Sequence, residues 1–107
     1  MASPKARTTN QGGSVRENIE TIPNKVTAND LFDKIKKVQY IRIPDTTTTI
    51  CYLTMQNGFT ILGQSGCVDP KEYNAALGEK YAYENAVEKI WQLEGYLLAE
   101  RRYQAGL

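Results

Sequence analysis

Asn57-Gly58 sits between two runs of strand-forming residues, Thr48–Gln56 (TTICYLTMQ) and Phe59–Gln64 (FTILGQ). This dipeptide is the strongest short hairpin signal, because a tight two-residue turn asks for positive φ at both central positions and Asn and Gly tolerate it best. Whatever else the chain does, these two strands must lie side by side and antiparallel. The first run alternates, with Ile50, Tyr52 and Thr54 on one face and Cys51, Leu53 and Met55 on the other, so one face is expected to pack on a core. Val38–Ile43 (VQYIRI) is equally rich in β-formers and is predicted as a third strand, broken by Pro44-Asp45.

Helix signals flank the hairpin. Thr27 and Asp30 are spaced as a capping box, and Val26 and Leu31 as a hydrophobic staple around it. Leu31, Phe32 and Ile35 then give one apolar face of a helix of about three turns, with Lys34, Lys36 and Lys37 solvated. After the hairpin, Gly63-Gln64-Ser65-Gly66 reads as a strand-end turn. Asp69, Pro70 and Glu72 predict a helix start running to about Leu77, with Gly78 as a kink or interruption. A long helix follows over Glu79–Gln104. At 100° per residue it gathers Ala82, Ala86, Ile90, Leu93 and Leu97 on one broad face that should cover the sheet. Glu94 and Arg101 project near the middle of that face and need partners, either each other or a ligand. Gly95 in a helix interior costs about 1 kcal/mol against alanine, a cost expected to be offset by the close approach of a neighbour or ligand.

Strands followed by helices, without βαβ alternation, define an α+β class: a small antiparallel sheet of two to three strands packed against a short N-terminal helix and a long C-terminal helical segment. The 107 residues support one domain. Residues 1–18 read as a flexible arm, being small, polar and glycine-rich, and 19–107 as the domain.

Composition narrows the chemistry. Net charge is +1 and there is no histidine, which removes His-based triads and histidine zinc ligands. It also gives no broad pull toward nucleic acid or anionic membrane. Cys51 and Cys67 lack metal-ligand spacing and are expected as buried, reduced thiols, a disulfide between them requiring an oxidising setting. No phosphate loop, dinucleotide fingerprint or hydrolase elbow is present. No catalytic residue, metal or cofactor is assigned, and an enzyme is not expected. With no stretch of membrane-spanning length and no signal peptide, the expected location is the cytoplasm.

Seven tyrosines, two phenylalanines and one tryptophan are available to stack on a base, or else to fill core edges and subunit contacts. Arg101-Arg102 either complements the helix dipole or clamps a phosphate.

The runs TICYLTMQNGFTILGQSGCVDP and AYENAVEKIWQLEGYLLAERRYQ, over Thr49–Tyr103, resemble a family of small tailed-phage proteins long catalogued without function. The family is identified as one that includes the Thoeris anti-defence sponges of the first type. The resemblance implies a β-hairpin sheet packed on C-terminal helices, assembled as a dimer or hexamer in the host cytoplasm. It implies sequestration, without cleavage, of glycocyclic ADP-ribose, with cyclic oligonucleotides of CBASS immunity as second ligands. It further implies that Asn85 with one or both of Arg101 and Arg102 contacts the ligand, and that Phe59 or Tyr73 stacks on adenine. A non-enzymatic protein–protein interaction module and a nucleic-acid accessory factor are the rival readings, the even charge disfavouring the second. The apolar residues of the long helix exceed what one small sheet can cover, so light scattering at micromolar concentration is expected to report at least a dimer; a clean monomer contradicts this.

Overall fold

The computed structural model describes residues 21–107, so the expected arm over 1–18 and its boundary with the domain lie outside the described residues. The chain runs α1 (Ala28–Phe32), β1 (Ile35–Arg42), β2 (Thr49–Met55), β3 (Thr60–Ser65) and α2 (Ala75–Gln104). The strands form one antiparallel sheet in the order β1-β2-β3, and α2 lies across β3 and β2. This is the α+β arrangement of a three-stranded sheet, a short helix and a long C-terminal helix.

Period-two patterning becomes burial along the central strand. Thr49, Cys51, Leu53 and Met55 are all buried, while the residues between them are half-exposed. Ile61 of β3 and Ala82, Ala86 and Ile90 of α2 close over that face, and Leu31 of α1 seals one end of the core. Each fully buried side chain such as Leu31, Leu53 or Ile90 contributes about 1.5–3 kcal/mol.

The helix sits unusually low on β3. A Cβ added at Gly63 would lie 2.7 Å from the Ala86 Cβ and closer still to Ala82 O and Ala86 N. Gly63 is therefore strand, not turn, and the small residues opposite it set the depth of the contact. At the other expected close approach the space is open: nothing stands within 4 Å of a Cβ at Gly95. The neighbour expected there is missing because residues 91–104 of α2 bury no side chain. With 30 residues, α2 is about 45 Å long, roughly twice the about 24 Å of a seven-residue strand, so its C-terminal half runs past the packed core.

Four local expectations are corrected. The Thr27–Asp30 capping box forms as read, but α1 stops after five residues. Ile35 and Lys37 instead pair with Met55 and Thr54 across a bulge, which satisfies backbone groups that a short helix leaves marginal. Asp69 caps only the 3-10 turn Pro70–Glu72, accepting from Lys71 N–H. The helix proper begins one step later, where Asn74 Oδ1 accepts from Leu77 N–H at 3.1 Å. Gly78 lies inside α2 and continues it, donating to Asn74 O at 2.9 Å, and it passes close to the buried Thr49. At the hairpin, Gly58 alone has positive φ, 88°. Gly58 N–H donates to Met55 O at 2.9 Å and Met55 N–H to Phe59 O at 2.8 Å, the pattern of a three-residue loop with a glycine bulge. Asn57 contributes its side chain instead, Oδ1 accepting from Phe59 N–H at 2.9 Å.

Two substitutions of the same chemistry should therefore move stability in opposite directions. Gly63→Ala is expected to destabilise by at least about 2 kcal/mol through overpacking, and Gly95→Ala to stabilise by about 0.5–1 kcal/mol. Urea midpoints at constant m-value measure both. In the hairpin, Gly58→Ala should cost about 1–2 kcal/mol, well above the cost of Asn57→Ala.

Candidate functional site

Because α2 continues beyond the core, its C-terminal half faces the hairpin end of the sheet across a gap. A cleft of about 450 Å³ opens there, its walls formed by Met55, Phe59 and Ile61 on the sheet side and Leu93, Tyr96 and Leu97 on the helix side. Phe59 is 58% and Tyr96 69% exposed, so two aromatic rings stand at the mouth of an apolar floor.

Lys34 and Glu94 close one side of this cleft. Lys34 Nζ donates to Glu94 Oε1 at 2.6 Å, the Glu94 side chain being mostly covered and that of Lys34 half-exposed. This pair answers the question raised by a carboxylate on the apolar face of α2: its partner is Lys34, at the α1–β1 junction, and not Arg101. On the far side of the pair lies a second cleft of about 380 Å³, where Lys25, Lys34 and Arg101 stand among Asp30, Asp33 and Glu94. Asp30 accepts from Thr27 N–H at 2.8 Å, and this bond holds its carboxyl below the ordinary carboxylate range. With a lowered native pKa, the contribution of that cap is present above the unfolded pKa and is lost as pH falls through the native one.

The five residues implied as ligand contacts are spread along the molecule. Phe59 lines the apolar cleft and Arg101 the charged one. Asn85 is on the α2–β3 seam, its Oδ1 accepting from Gln64 N–H at 3.0 Å. Arg102 donates from its guanidinium to Pro23 O at 3.0 Å, tying the end of α2 to the segment before α1. Tyr73 precedes α2, with the Arg42 guanidinium 4.0 Å from its ring centroid and Thr49 Oγ1 3.5 Å from its hydroxyl. It is separated from Arg102 by nearly the length of α2, about 40 Å. The fold brings Phe59 and Arg101 to adjoining clefts and keeps Tyr73 apart. Lys34, Glu94 and Tyr96 were not among the candidates. Glu94 carried a signal, a charge on an apolar helix face; Lys34 carried none, being one lysine of several.

Both cysteines are free. Cys51 is buried and burial pushes its thiol up, whereas Cys67, expected to be buried, is partly exposed on the loop after β3. Among the described residues no group of His, Cys, Asp and Glu is placed to hold a metal ion, and no helix is long and apolar enough to cross a membrane.

Residues 22–102 match the family model described as Phage protein (N4 Gp49/phage Sf6 gene 66). Comparison with curated proteins and with solved structures gives no match.

Two outcomes follow for this region. Iodoacetamide at neutral pH should alkylate Cys67 rapidly and Cys51 only after denaturation, read by peptide mass. Lys34→Met should lower stability by more than the about 1 kcal/mol of a fully exposed ion pair, because the mostly covered Glu94 loses its partner, and a smaller loss in the urea midpoint would mean that Glu94 turns out to water.

Proposed function

We propose that this chain, which belongs to the phage protein (N4 Gp49/phage Sf6 gene 66) family, is a binding protein that sequesters a cyclic nucleotide immune signal, glycocyclic ADP-ribose first, without cleaving it. The observation that carries the reading is the junction of two unlike clefts across one ion pair. The apolar cleft with Phe59 and Tyr96 at its mouth suits a purine, which binds by stacking and by exclusion of water. The cleft beside it offers ammonium and guanidinium groups together with carboxylates. Phosphates accept from the first kind and ribose hydroxyls donate to the second. The volume of the larger cleft lies within the range of about 300–1,000 Å³ that small-ligand sites occupy.

Sequestration needs tight binding and no reaction, so a chain without histidine loses nothing it requires. A second copy packed on the exposed end of α2 would narrow both clefts and raise the buried fraction of the ligand, and we assign the active form to an oligomer on that ground. The rival reading, a protein–protein interaction module, draws on one specific observation: Trp91, Leu97, Tyr103 and Leu107 near the end of the chain are exposed, and a partner helix could cover them.

Incubation of the protein with glycocyclic ADP-ribose, removal of free ligand, heat denaturation and mass analysis of the released material test the proposal. Recovery of unmodified ligand is expected. Phe59→Ala should then raise the dissociation constant about tenfold, the loss of one stacking contact of about 1.4 kcal/mol, with the melting temperature of the free protein unchanged. Failure of the parent to retain glycocyclic ADP-ribose or any cyclic oligonucleotide would overturn the sponge reading.

A further inference from the structure

The two edges of the sheet are treated differently by the rest of the chain. On β3, the outward backbone groups are already engaged by α2: Gln64 N–H donates to Asn85 Oδ1 at 3.0 Å, and Leu62 O accepts from Lys89 Nζ at 2.6 Å. The helix that covers the core thus also seals that edge. On β1, Lys37, Gln39 and Ile41 lie opposite Thr54, Tyr52 and Ile50, and Ile43 N–H continues the same ladder to Thr48 O at 3.0 Å. In an antiparallel pair hydrogen-bonding direction alternates residue by residue. The N–H and C=O groups of Val38, Tyr40 and Arg42 therefore point away from β2, along an edge that no described element covers.

This edge is also chemically one-sided. Every residue of β1 after Ile35 is exposed. The strand carries Lys36, Lys37 and Arg42 and no acidic residue, while Val38 and Tyr40 present apolar surface between them, each 39% exposed. Pairing of β1 with β1 of a second copy would set these cations of both chains in one ladder, which is unfavourable. An extended segment with carboxylates in those places meets the opposite condition.

We propose that the free edge of β1 is a docking site for an extended, acidic segment of another protein, which adds as a fourth strand. Main-chain hydrogen bonds to Val38 and Tyr40 supply the register, and carboxylates facing Lys36 and Lys37 supply the selection, the Arg42 guanidinium being held by Thr46 O and the Tyr73 ring. The surface is independent of the clefts beside α2.

Fluorescence anisotropy of the full chain with a labelled octapeptide alternating valine and glutamate tests this. Binding that weakens with added salt is expected. The same peptide N-methylated at the alternate residues facing the edge should bind at least tenfold more weakly, as should the parent peptide to a Lys36→Glu, Lys37→Glu variant. N-methylation leaves the protein untouched, so its effect cannot arise from misfolding. The proposal is overturned if the glutamate peptide does not bind, if its N-methylated form binds equally well, or if a peptide alternating valine and lysine binds as tightly. It is also overturned if sedimentation shows that the parent is a dimer dissolved by Tyr40→Pro, which would make a second copy the occupant.

Discussion

The contact between Gly63 and the Ala82–Ala86 turn of α2 is the constraint on which the rest of the molecule depends. Only a residue without a side chain fits beneath that turn, and the two alanines opposite are themselves fully buried. Close packing at this density leaves no room for a methylene without displacement of helix or strand. The depth at which α2 meets β3 is thereby set, and with it the distance at which Asn85 and Lys89 reach the strand edge. The same contact fixes where the helix leaves the sheet. Beyond Ile90 nothing of α2 is buried, so the helix end and the hairpin end are held apart with a gap between them. The cleft under Phe59 follows from a helix that is longer than its sheet and anchored through its N-terminal half.

Charge is arranged around that gap with economy. Lys34 belongs to the junction of α1 and β1, and Glu94 to the overhanging half of α2, so their ion pair ties the start of the domain to its end. Arg102, reaching Pro23 O, makes a second tie of the same kind. An ion pair with one exposed partner adds little stability, and Lys34 remains accessible to an incoming anion. A ligand phosphate that drew Lys34 away would leave the mostly covered Glu94 carboxylate unpaired beside a second anion. Binding at this ridge therefore favours a geometry in which the Lys34 ammonium donates to Glu94 and to the phosphate together.

Much of this architecture was legible in the residues. The alternation of Cys51, Leu53 and Met55, the turn at Asn57-Gly58 and the Thr27–Asp30 cap are local codes, and each appears where local chemistry places it. What escaped reading is what depends on partners remote in sequence. Ile35 and Lys37 carry a pattern compatible with a helix, and only pairing with β2 converts them to strand. Gly63 and Gly95 look alike in sequence, yet one is pressed against a helix and the other faces open space. Asn57 supplies a side-chain acceptor where positive φ was expected, because the loop holds three residues rather than two. In the candidate site, Phe59 and Arg101 enter only through the family resemblance, whereas Lys34 acquires its place through Glu94, a partner 60 residues away.

Amide chemical-shift mapping during titration of the isotopically labelled protein with glycocyclic ADP-ribose tests the central claim, that the overhang of α2 creates the ligand site. The account predicts saturable shifts concentrated at Lys34, Phe59, Glu94, Tyr96 and Leu97, on both sides of the ion pair. Shifts confined to Tyr73 and Arg42 at the other end of the sheet, or none at saturating ligand, would contradict it.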